Sequence, residues 1–156
     1  MKPDMRKPVQ LLAFGFGAGL APRAPGTFGT LVGIPLFLAL AGLPMPLYLA
    51  VVAALFGVGV WLCGRASADL GVHDHGGIVW DEIVGLLVTL AGAPSGIATI
   101  AVGFALFRLF DILKPWPIGW LDRRVGGGFG IMVDDLLAGL YAAVVLQALL
   151  HSRILP

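Results

Sequence analysis

Residues 108–135 read RLFDILKPWPIGWLDRRVGGGFGIMVDD. Arg108, Asp111 and Lys114 recur at three-residue steps in an apolar run, which places them on one face of a helix. Pro115 and Pro117 stop that helix. A glycine-rich turn follows, and a second apolar run opens on Asp134 and Asp135. Fixed charge is thus gathered between two segments that otherwise avoid it, as in a site built where helices meet a membrane boundary.

The rest of the chain supports that setting. Of 156 residues, 58% are hydrophobic and only 12% charged, with a mean hydropathy of +0.95. Soluble domains are about half apolar and a quarter charged, so an integral membrane protein fits better. The length suits a single domain over 1–156. A net charge of +1 gives no electrostatic footprint for nucleic acid. The single cysteine, Cys63, excludes an internal disulfide and argues against a thiolate metal site.

Residues 24–64 carry no charge and break at Gly42–Pro46, which predicts a hairpin of helices near 28–42 and 47–63, with Pro35 a possible kink. Residues 83–107 are also uncharged and break at 92–96, predicting a second hairpin near 82–92 and 97–114. The last apolar run is 136–150. Several arms fall short of the roughly 20 residues a span needs. The fold expected is an all-α, polytopic membrane bundle of about five helices with short or broken hairpin arms. With the breaks on one side, all nine acids and nine of the ten Lys and Arg residues lie on the other; Arg153 is the exception. The positive-inside bias makes the charged face cytoplasmic. Trp80, Trp116 and Trp120 near that face read as interfacial anchors.

One short repeat is visible. GIVWDE (77–82) and GIMVDD (130–135) each join a glycine, three apolar residues and an acidic pair, and Gly85 and Gly139 follow one turn later. Each repeat is expected to open a helix. Asp81, Glu82, Asp111, Asp134 and Asp135 are then five carboxylates near a low-dielectric boundary, which repel one another unless a cation joins them. Hard oxygen donors select Mg²⁺, Mn²⁺ or Ca²⁺, and a phosphate would complete the shell. Helix capping would explain one acid per helix start, but two adjacent pairs plus Asp111 exceed that need. Arg108 and Lys114 suit phosphate binding; anchoring at the membrane face explains Arg108 equally well. In His73-Asp74-His75, two histidines two apart are no specific zinc signal; His75 suits proton donation or phosphate binding. The run GFGAGLAPRAPGTFGT (15–30) is no P-loop. It does place Gly26, Thr27 and Thr30 just before an apolar helix, where backbone and hydroxyl groups can meet substrate.

Taken in order, GFGAGLAPRAPGTFGT (15–30), VHDHGGIVWDEIVG (72–85) and FRLFDILKPWPIGWLDRRVGGGFGIMVDDLLAG (107–139) resemble the phosphatidylglycerophosphatase A family of membrane lipid phosphatases. The resemblance implies an all-helical fold and a Mg²⁺-dependent phosphoric monoester hydrolase. It implies phosphatidylglycerophosphate as substrate, phosphatidylglycerol and phosphate as products, and a site on the cytoplasmic side of the bacterial inner membrane. Its motifs contain Asp81, Glu82, Asp111, Asp134 and Asp135 as metal ligands, with His75, Lys114 and Thr27 inside matching stretches. The expected roles are Asp81 or Asp134 as base, Lys114 and Arg108 on the phosphoryl oxygens, Gly26 and Thr27 against substrate, and His75 as acid. Thr27 is also the candidate for a covalent route. A small ion or proton transporter is the alternative, and it would place carboxylates near mid-membrane.

Overall fold

The computed structural model describes residues 2–155. Among them the chain forms α1 (Pro8–Ala13), a 3-10 helix (Gly15–Leu20), α2 (Pro25–Leu40), α3 (Met45–Leu70), α4 (Trp80–Thr89), α5 (Ile97–Leu113), α6 (Ile118–Asp122) and α7 (Gly127–His151). The all-α bundle is the expected class, but the helical segments number eight rather than five. The additional three have five or six residues each and lie in charged or Gly/Pro-rich stretches. So short a helix shows no readable period.

Two boundaries differ from expectation. α3 runs on to Leu70, past the expected end near 63, because Arg65 and Asp69 continue the helix with an i,i+4 ion pair of 3.2 Å. α7 begins at Gly127, so Asp134 and Asp135 lie two turns inside it and no acid occupies its first turn. The second repeat is therefore not a helix start, whereas the first does open α4 with Asp81 and Glu82. α2 continues through Pro35.

α4 is the hub. It has ten residues, about 15 Å of helix, and packs against α2, α3, α5 and α7. Leu86, Leu87 and Leu90, at its end, are fully buried. Glycines let the neighbours approach. Gly26, Gly29 and Gly33 form a buried row along α2, and side chains there would strike Glu82, Val79 and Leu86. A Cβ on Gly139 of α7 would lie 2.5 Å from the Gly85 carbonyl, and one on Gly128 would strike the Val60 carbonyl of α3. Helices come this close only where side chains are absent.

The bundle has two distinct ends. The break after α2 and the break after α4 share one of them: a Cβ on Gly92 would be 2.9 Å from Met45 Cε. The charged loops share the other, where Lys114 reaches Asp122 and Asp134 and His73 reaches Gly127. α3 and α7 are long and apolar enough to cross a membrane. Large apolar side chains face outward along them, including Trp61 and Val144.

Candidate active site

α4 and α7 run in the same direction with equivalent positions facing. Gly139 meets Gly85, the Gln147 side-chain amide donates to the Ala91 carbonyl at 3.1 Å, and one turn before the glycines Asp135 meets Asp81 and Glu82. The sequence repeat is therefore a spatial register. Gly–Gly contact brings the two backbones together, and the acidic residues one turn earlier converge as a result. One carboxylate oxygen from each of Asp81, Glu82 and Asp135 lies within 4.8 Å of the others. Asp81 Oδ1, Glu82 Oε2 and Asp135 Oδ2 are also buried without a hydrogen-bond partner among the described residues. Three such carboxylates repel unless positive charge joins them. Their hard oxygen donors fit a divalent ion such as Mg²⁺.

Of the five proposed ligands, the other two carry closer ionic partners than any of these three. Asp111 forms an ion pair with Arg108, one turn apart on α5. Arg108 Nη1 also lies 3.7 Å from Glu82 Oε1, so the guanidinium stands between the acids of α4 and α5. Its Nε is buried and unpartnered among the described residues. Asp134 instead accepts from Lys114 Nζ at 2.7 Å, and Asp122 accepts from the same ammonium at 2.9 Å. Asp122 was not legible as a site neighbour, because only the fold of the Lys-Pro-Trp-Pro turn and α6 brings it back. Lys114 caps α5 in the left-handed region (φ 43°), which aims it across the turn toward α7. Burial alone would lower its pKa, but its hydrogen bonds to Asp134 and Asp122 outweigh that and hold it above the ordinary lysine value.

The remaining residues line the same end. A side chain on Gly26, in the first turn of α2, would strike the Glu82 carboxylate and lie 2.9 Å from Arg108 Nη1. Only glycine leaves the start of α2 pressed against both. Thr27 follows, half-buried, its hydroxyl making no hydrogen bond among the described residues. The Thr30 hydroxyl donates back to the Gly26 carbonyl at 2.7 Å and so serves the helix. The two histidines go separate ways. His75 Nδ1 accepts from the Gly77 N–H at 3.0 Å, with the ring 5.3 Å from Phe14. His73 Nε2 accepts from the Gly127 N–H at 3.4 Å, tying the loop to the start of α7. Between them, burial raises the Asp74 carboxyl above its usual range; Lys114 opposes the rise and Asp122 adds to it. Trp116 and Trp120 are exposed, as anchors would be. Trp80 is not: it is buried and its indole N–H donates to the Leu55 carbonyl at 3.1 Å.

An all-α bundle that gathers carboxylates, an arginine and a lysine at one end of apolar helices has the groups to handle a phosphoryl group. The comparisons with known proteins narrow that reading. The family model described as Phosphatidylglycerophosphatase A matches residues 11–150. The phosphatidylglycerophosphatase A of Escherichia coli K12 is 48% identical over 148 residues, 94% of this chain and 86% of that protein. The Haemophilus influenzae protein of the same name is 49% identical over 150 residues, 95% and 92% of the two chains. A Bacteroides thetaiotaomicron protein, provisionally named a phosphatidylinositol-3-phosphatase, is 36% identical over 154 residues, 94% and 95% of the two. No solved structure matches. This chain belongs to the phosphatidylglycerophosphatase A family. It is a phosphoric monoester hydrolase.

Proposed function

We propose that the protein hydrolyses the terminal phosphate of phosphatidylglycerophosphate, giving phosphatidylglycerol and phosphate, in a Mg²⁺-dependent reaction at the cytoplasmic face of the bacterial inner membrane. The observation that carries this reading is the set of three converging carboxylates, each with one buried oxygen unpartnered among the described residues, beside Arg108 and Lys114, in a chain of this family.

Asp81, Glu82 and Asp135 would hold the metal, with Asp111 next to them. When bound there, such an ion would supply positive charge against phosphoryl oxygens and make a water more acidic. Arg108 offers a forked donor to the phosphate, and its pairing with Asp111 and Glu82 keeps it oriented before substrate arrives. Lys114 stays protonated and balances charge that grows on the phosphoryl oxygens. Asp134, outside the three-carboxylate cluster, takes the proton of the attacking water. His75, its Nδ1 occupied as an acceptor, presents an Nε2–H that can hydrogen-bond the leaving oxygen as it gains charge, and that oxygen takes its proton from solvent water. Gly26 gives the substrate close access to the start of α2, and Thr27 offers a free hydroxyl. The outward apolar side chains of α3 and α7 support embedding in the bilayer. The gathering of acids at one end, opposite the helix breaks, favours a hydrolase at a boundary over a transporter with mid-membrane carboxylates.

The test is phosphate release from phosphatidylglycerophosphate in detergent micelles, with Mg²⁺ and with EDTA, for wild type and Asp134→Asn. Phosphatidylinositol 3-phosphate serves as the competing substrate, given the name of the Bacteroides relative. Release that requires Mg²⁺, prefers phosphatidylglycerophosphate and collapses in the variant is expected. Release indifferent to EDTA would discard the metal and turn attention to Thr27. No release by folded wild type with any divalent ion would overturn the reading.

A further inference from the structure

α2 and α5 both flank α4 but scarcely touch each other. Between them lies a groove of about 440 Å³, walled by Leu31, Ile34 and Leu38 of α2 and by Ile97, Ala101 and Phe104 of α5. Every wall residue is apolar. The groove is continuous with the candidate site. Thr27 stands one turn before Leu31 on α2, and Arg108 one turn beyond Phe104 on α5. The two helix ends are held together there, since Gly26 lies against the Arg108 guanidinium and the Glu82 carboxylate. A single stripe therefore runs from a hydroxyl and a cation at the acidic end into an open apolar channel. At its far end Ile97 is 88% exposed.

Two other apolar grooves flank the bundle, one of about 400 Å³ between α2 and α3 and one of about 320 Å³ between α3 and α7. No lysine or arginine stands one turn from a wall residue of either. At the head of the first, the indole N–H of Trp80 is already bound to Leu55. Of these three grooves, the one between α2 and α5 joins an apolar channel to a cation suited to phosphate.

We infer that the α2–α5 groove is an acyl-chain subsite, in which one fatty-acyl chain of the lipid phosphate lies while its phosphate end reaches Arg108 and the carboxylates. The inference rests on the lipid-phosphatase reading above and adds where the tail goes. Ala101 is the smallest wall residue, so a larger side chain there takes up groove volume. The subsite also explains why α2 and α5 remain apart although both pack on α4.

The test compares phosphatidylglycerophosphate bearing palmitoyl chains with the same lipid bearing butyryl chains. Wild type is expected to prefer the palmitoyl substrate. Ala101→Phe, which fills the groove, is expected to lose about tenfold in kcat/KM on the palmitoyl substrate. Its turnover of the butyryl substrate should stay within about twofold of wild type. Ala53→Phe, in the α3–α7 groove, is expected to keep the wild-type preference. A palmitoyl preference retained by Ala101→Phe overturns the subsite. No turnover of either lipid by wild type overturns the lipid-phosphatase reading instead. Independently of any variant's folding, a palmitoyl lipid phosphate with a mid-chain diazirine is photocrosslinked to wild type in nanodiscs, beside a diazirine phosphatidylcholine. Excess label from the lipid phosphate on 31–38 and 97–104 is expected. Equal label from both lipids, or label confined to α3 and α7, would reduce the groove to ordinary bilayer contact.

Discussion

At the scale of single residues, the site depends on which carboxylates converge and which are already paired. Asp81 and Asp135 leave buried oxygens unpartnered, so Asp81→Asn or Asp135→Asn should cut kcat by about a hundredfold or more. Near-native unfolding temperatures should accompany the loss, because each change removes like-charge repulsion from the cluster. Steady-state kinetics with thermal unfolding in detergent checks both halves. Lys114 gives a pH prediction with a definite sign. Its side chain is half-buried, which lowers its pKa, yet its bonds to Asp134 and Asp122 raise it further. It stays charged through the neutral range and is lost only as pH rises through that elevated value. Wild type should therefore show no alkaline fall in activity from this residue below about pH 10. In Asp122→Asn one of the two compensating partners is gone, so an alkaline fall should move toward neutral pH. A pH profile of kcat/KM for the two proteins decides it.

At the scale of elements, the short helix α4 is held by glycine-mediated crossings. In lipid, where tails are as apolar as leucine, close packing rather than burial from water draws helices together. A Cβ on Gly139 would sit 2.5 Å from the Gly85 backbone carbonyl, and a backbone carbonyl cannot rotate aside as a side chain can. Gly139→Ala should therefore cost about 1–3 kcal/mol. It should also cut activity at least about tenfold, since any separation of α4 from α7 carries Asp135 away from Asp81 and Glu82. Gly57→Ala is the control. It is exposed within α3 with nothing within 4 Å of the added Cβ, so it should leave activity unchanged and stabilise by about 0.5–1 kcal/mol. Unfolding midpoints and phosphate release on the pair separate packing at the crossing from a general effect of glycine replacement.

At the scale of the whole molecule, the two ends differ in chemistry. One carries the helix breaks around Gly42 and Gly92; the other carries the acids, Arg108, Lys114 and the histidine loop. With the proposed orientation, a cysteine placed at Gly42 should react with a membrane-impermeant maleimide from outside the inner membrane. One at Arg124 should react only after the membrane is opened. Cys63 is buried and should contribute little background. Reversal of the two labels would place the site on the opposite side. Equal labelling of both sites in intact cells would mean that the protein does not separate the two compartments.

Much of this protein was fixed by composition and local pattern. Long uncharged runs can only be stable as helices in an apolar surround, because every backbone polar group must be paired within the segment. Hence the all-α class, the breaks at 42–46 and 92–96, and the gathering of charge at one end were legible from residues alone. So was the end of α5 at the Lys-Pro-Trp-Pro turn, since proline cannot continue a helix. The site itself was legible only as a set of candidates. Five acids could be named, but which three converge depends on the parallel register of α4 and α7, set by Gly85 against Gly139. Asp122 meets Lys114 only because α6 folds back, and Trp80 turns inward only because α3 offers the Leu55 carbonyl. Contacts between residues far apart in the chain follow from how helices cross. A hydropathy pattern says which face of a helix is apolar, but not which neighbour comes to lie against it.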